Sequence, residues 1–186
     1  SVAGHPLPWH QNWLAMFVDL GMDGLHLAVW GHRFVAIARM AGFAARRNTY
    51  KPFLATNVSE FFNRYYYYFK ELLVDLFFYP VLYALPRRRL KLALFLATVA
   101  AAGGANYLYH FYRDAFIVAQ VGLWRALVVS HLHAAYCALL ALAIFVSQVR
   151  RSGRARQPVG RLAELRAVLT VWLIYAVLNS LTVDLR

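Results

Sequence analysis

Seven histidines, eight carboxylates and one cysteine are the side chains from which this 186-residue chain must draw any acid–base, metal or thiol chemistry. Asp19, Asp23 and His26 recur at spacings of four and three, so on a helix they share one face. On an apolar helix such a face points at protein or at a water-filled cavity; otherwise the acids simply pair with His26, His32 or Arg33. His110 follows Asn106 at the end of an apolar run, among tyrosines. An imidazole with an unperturbed pKa of about 6.5 suits general-base work. His131 and His133 project to opposite sides of a helix, roughly 200° apart, and make a poor joint metal site. His5 and His10 have no third ligand at a useful spacing. Cys137 stands alone, which excludes an internal disulfide and a multi-cysteine zinc site. No G-x-S-x-G nucleophile elbow occurs, so a covalent serine mechanism is not indicated.

The elements that must position these groups are apolar. Hydrophobic residues make up 61% of the chain, against about 45–50% in a soluble domain, which points to an integral membrane protein. The net charge of +12 sits in short clusters between apolar runs: Arg46-Arg47, Arg87-Arg88-Arg89, and Arg150-Arg151 with Arg154 and Arg156. That is the pattern of cytoplasmic loops that set orientation, not of a nucleic-acid groove. Residues 13–33 form a first apolar helix, and a basic loop covers 39–51. Residues 90–109 and 162–183 are each long enough to cross a core of about 30 Å at about 1.5 Å per residue. Residues 117–149 read as one tilted helix after an interfacial segment. Gly103-Gly104 weakens the 90–109 helix locally, and the small residues around it allow close helix approach. The expectation is an all-α, polytopic transmembrane bundle, one membrane domain over 1–186. No internal inverted repeat of the kind transporters carry is visible.

Residues 48–80 are different. The stretch is rich in Phe and Tyr yet holds Asn63, Arg64, Lys70, Glu71 and Asp75. Each charge at the centre of a bilayer would cost about 2.5–3.5 kcal/mol. An interfacial or re-entrant helix over 59–80 is expected, with rings at headgroup depth and charges reaching water or one another. Asn57 or Ser59 can cap it, Glu60 falls in the first turn, and Pro80 should stop it.

Asn48, Pro52, Val58, Glu60, Phe61, Arg64, Asp75 and Pro80 match, without a gap, the central signature of the membrane-bound O-acyltransferases (MBOAT), in particular the bacterial branch that acylates polysaccharides. Phe53 and Phe78 stand where that signature has Tyr, Asn57 where it has Ser, and Phe62 and Tyr65 where it has Trp. Tyr66 stands at its polar His or Asn. Asp19, Gly21 and Asp23, followed by 36–43, resemble the acidic helix of the same family. The resemblance implies the C-terminal portion of a longer protein, in the bacterial cytoplasmic membrane: either a fragment of it or one half of a split protein.

It also implies chemistry. The family's catalytic histidine lies on the hydrophobic helix after this signature; His110 is the first histidine there, with Asn106 as an orienting amide. An alignment on Thr98 places Asn106 itself at the histidine position. Direct acyl transfer from a thioester to a hydroxyl would use His110 as base and Asn106, Tyr66 or Tyr109 as oxyanion donors. Asn63, Arg64, Asp19 and Asp23 complete the expected substrate site. No bound cofactor is expected; acyl-CoA or an acyl carrier protein is the co-substrate, and the basic loops suit its phosphates or acidic face. The expected partners are the lipid bilayer, that donor and a hydroxylated acceptor (polysaccharide, lipid or small molecule), together with the N-terminal half of such a protein or other membrane subunits, and no nucleic acid. The exchanged tryptophans and Tyr66 also fit a second reading, a non-catalytic membrane scaffold or partner-binding subunit. His131 is the alternative base.

Overall fold

A computed structural model of the chain describes residues 8–152 and 160–180. His5, the loop arginines Arg154 and Arg156, and the last residues of the 162–183 span lie outside the described residues. Most of those described are helical, and none forms a strand. Among the described residues three helices, Leu90–Arg113, His131–Arg150 and Arg161–Ser180, are long and apolar enough to cross a membrane.

The first helix, α1 (Trp9–Met40), outruns the expected 13–33 at both ends. Nothing between 33 and 40 breaks it, and the basic residue Arg39 lies in its last turn, where it favours the negative end of the helix dipole. Two glycines, seven residues apart and so on one face, let the chain that follows pack directly on α1. A Cβ on Gly24 would lie 2.7 Å from the tip of the Phe53 ring, and one on Gly31 2.0 Å from Asn48 Nδ2.

The aromatic stretch does not form the single helix expected over 59–80. Helix α2 (Val58–Tyr65) ends at Tyr66, whose backbone is extended (φ −146°, ψ 81°), before α3 (Tyr67–Leu73). The loop before it satisfies the groups exposed by the break. The Tyr50 N–H donates to Arg64 O (2.8 Å) and the Tyr67 N–H to Asn48 O (2.8 Å). The Thr49 hydroxyl donates to Tyr65 O at 2.9 Å. A buried helix end needs such partners, and a local reading of α2 cannot supply them. The start is as expected: Asn57 Oδ1 accepts from the Glu60 N–H at 2.9 Å. Glu60 reaches back to accept from the N–H and hydroxyl of Thr56, both at 2.8 Å, closing a box like those that cap helix starts.

Pro80 does not stop the helix either. After a π turn at Val74–Phe78 it becomes the second residue of α4 (Tyr79–Ala84). Pro80 has no N–H for the carbonyl four residues back, and its ring crowds that carbonyl; the widened turn relieves both, and the helix continues.

A second π turn, Val99–Ala105, joins α5 (Leu90–Thr98) to α6 (Asn106–Arg113) and contains Gly103-Gly104. The weak point is thus a wide turn inside an unbroken helix. Ala93, Ala97, Ala101 and Ala105 recur every four residues and are all buried, as are Cys137, Leu140 and Ala141 on the long helix that packs against this segment. Gly122, at φ 81°, a left-handed conformation that glycine adopts without strain, separates the short helices α7 (Phe116–Val121) and α8 (Leu123–Val129) that precede α9 (His131–Ser152). The last helix, α10 (Arg161–Ser180), ties back through Trp172, whose indole donates to Phe53 O at 3.1 Å and stacks on the Phe53 ring (centroids 4.6 Å apart).

Candidate active site

Between these helices lies a cavity of about 950 Å³. On one side stands the alanine-rich wall of α5, the π turn and α6; opposite are the rings of α2 and α3 and of Tyr175 on α10. Asp23 and His26 of α1 and a face of α9 close it. On α9 the lining runs from His133 to Gln148, fifteen residues and thus about 22 Å at about 1.5 Å per residue. The two ends are polar. At one, the Thr98 hydroxyl donates toward Leu94 O (2.7 Å) and Gln148 Oε1 (3.0 Å). At the other are His110, His133, Arg113 and Asp114.

That second end gathers the titratable side chains. The π turn and α6 form one helix, which places Asn106 and His110, four residues apart, on the same inner face. Asn106 is 7% exposed, and its amide donates to Cys137 Sγ at 3.6 Å. The rings of His110 and His133 lie close together, their planes 30° apart and their centroids 5.4 Å apart. A row of rings leads away from them: Tyr109 beside His110, then Phe69 at 4.6 Å from Tyr109, then Tyr66 at 5.7 Å from Phe69. Arg113 grips the Asp114 carboxylate with two hydrogen bonds of 2.9 and 3.1 Å. That grip, reinforced by the positive fields of His133 and His110, holds the Asp114 carboxyl below its usual range. Burial, together with the neighbouring Tyr109, pushes the Tyr66 phenol up. It therefore keeps its proton near neutral pH and is available as a hydrogen-bond donor.

Of the residues singled out in the sequence, the cavity brings together His110, Asn106, Tyr66, Asn63 and Asp23. Asp19, one turn before Asp23, is exposed and lies outside the lining. Arg64 is turned away and pairs with Glu60 at 2.5 Å, which makes it part of the α2 cap. His131 is exposed, its Nδ1 2.6 Å from Val128 O, on the far side of α9 from His133.

The residues missed are His133 and Asp114. The opposition of His131 and His133 along α9, read above only as an argument against a metal, also meant that one of the two had to face inward. His133, Leu140, Ile144 and Gln148 do recur at spacings of seven, four and four, an inward stripe beginning and ending on polar side chains. No cluster of three or more His, Cys, Asp or Glu placed to hold a metal occurs among the described residues. The chain matches no protein-family model, no curated protein and no solved structure.

Proposed function

We propose that this protein is a membrane-embedded O-acyltransferase, with His110 as the base that deprotonates a hydroxyl acceptor. The observation that carries the reading is His110 opening, beside the buried amide of Asn106, into a long cavity with apolar walls and polar ends. A thioester's acyl chain needs the apolar length and its carbonyl needs hydrogen-bond donors, which Asn106, Tyr66 and Tyr109 offer on the lining. The hydroxyl oxygen attacks the thioester carbon as His110 takes its proton, the C–S bond breaks, and the thiolate leaves. The exposed Arg46, Arg47, Arg88 and Arg89 are available to the phosphates of an acyl-CoA or the acidic face of a carrier protein. The residues matching the MBOAT signature support the same reading and extend it to a polysaccharide, lipid or small-molecule acceptor at a bacterial cytoplasmic membrane.

Purified protein in nanodiscs, given labelled acetyl- and long-chain acyl-CoA, should transfer the acyl group, and His110→Ala should lower turnover by about a hundredfold or more while the helical content holds. Equal turnover in the variant would move the base elsewhere. Transfer from no donor, by folded protein, would leave the partner-binding subunit, the reading that Tyr66 in place of a polar residue favours.

A further inference from the structure

We infer that His133 acts with His110 as one proton-holding unit, so that the site's base is a pair of imidazoles contributed by two different membrane helices. This rests on the acyl-transfer reading for its chemistry, though not for its geometry. The two rings are neighbours with centroids 5.4 Å apart, and both line the cavity. At an effective dielectric of about 20, two imidazolium charges at that separation repel enough to split their proton affinities by on the order of a hundredfold. The pair therefore takes up its first proton far more readily than its second, and its titration belongs to the pair rather than to either ring.

The surroundings favour the singly protonated pair. Asp114 lies one turn past His110, and its carboxylate, gripped by Arg113, offers negative charge to whichever ring holds the proton. Arg113 offsets part of that charge, so the site tolerates one added proton rather than two. Across the cavity are Tyr66, at the break before α3, and Lys70 on α3, whose ammonium is paired with Glu71. Tyr109 beside His110, Tyr65 on α2, Tyr136 on α9, Tyr175 on α10, and Asp23 and His26 on α1 are the other titratable groups of the lining.

The function follows from the balance of the reaction. The acceptor hydroxyl gives its proton to His110 as its oxygen bonds to the acyl carbon. The C–S bond breaks and its electron pair stays on sulfur. That thiolate must then be protonated, and the imidazole pair holds the proton just taken. His133 is a positioning residue here: it acts through His110, spreads the added charge over two rings, and moves the proton between the acceptor side and the leaving-group side.

The test combines two readouts on full-length protein in nanodiscs. Transfer from acyl-CoA is followed against pH for wild type, His133→Gln and, as a control outside the cavity, His131→Gln. His133→Gln should lower kcat by about ten- to a hundredfold with KM little changed, and turn the acid limb of the rate profile from two ionisations to one. His131→Gln should match wild type. An unaltered kcat and pH profile in His133→Gln would overturn the inference. The second readout needs no activity: nitrogen-15 NMR of labelled histidines across pH 4–9. Two linked steps in wild type that become one in His133→Gln and one in His110→Gln support the pair, whereas rings that titrate independently in wild type overturn it. If wild type transfers no acyl group, the acyltransferase reading fails and the NMR result alone decides whether the pair exists.

Discussion

The two long walls of the cavity are built in opposite ways. Along α5, the π turn and α6, the face toward α9 is rich in buried alanines, with Ala97 and Ala141 wholly buried, and carries one ring pair, Phe95 against Phe145, with centroids 5.2 Å apart. Across from it, the contact between α2 and α10 is made by rings: Phe61 lies 5.1 Å from Tyr65 and 4.8 Å from Tyr175. In lipid there is no hydrophobic drive between helices, so small residues hold them by letting their backbones approach closely. Large rings do the reverse: they keep helices apart and fill the gap with their own area. A helix pair closed by alanines facing a pair propped by aromatics leaves space between, and the cavity is that space. The backbone matches this division. The alanine wall runs through Gly103-Gly104 as an unbroken helix, while the aromatic wall is interrupted at Tyr66 and held by the 48–50 segment.

The largest expected effect tests the aromatic wall. Phe61→Ala removes a ring that is 4% exposed and should cost about 3–5 kcal/mol of stability. Loss of circular dichroism on titration with denaturing detergent would measure it. A cost near zero would mean that the rings only line the wall and do not hold it. Next comes the opposite manipulation of the alanine wall. A Cβ on Gly103 would sit 3.6 Å from Ala141 Cβ, so the larger side chain of Ala141→Leu has no room against the π turn and should cost about 1–3 kcal/mol by overpacking. The same titration reads it. If this variant were neutral while Phe61→Ala was not, the closeness of the alanine wall would not be what sets the cavity's width.

The smallest effect lies at the rim where the two walls meet. The carboxyl of Asp114 is held below its ordinary value, first by its hydrogen bonds to Arg113. A lowered folded-state pKa adds stability above the unfolded value of about 3.9 and loses it as pH falls from there through the folded value. Side-chain exposures of 52% for Arg113 and 29% for Asp114 limit the pair to at most about 1 kcal/mol. Asp114→Asn should therefore leave stability near pH 7 almost unchanged and flatten its fall below about pH 4, as thermal melts across pH would record.

What the sequence determined by itself was local: the apolar runs that become the three candidate spans, the Asn57 cap with Glu60 in the first turn, and the weak point at Gly103-Gly104. Each follows from the composition, period or capping chemistry of a few neighbouring residues. Pro80 shows where that reasoning stops, because a π turn lets a helix pass a proline that local rules say should end it. Only the tertiary structure decided that the helix breaks at Tyr66, because the groups satisfying the broken ends come from residues 48–50. It also decided that Arg64 turns toward Glu60 and that Asp23 faces the cavity while Asp19 does not. The meeting of His110 with His133, on separate helices, depends on how closely the alanines of one helix let it approach the other. That distance is a property of two packed surfaces, and no stretch of sequence contains it.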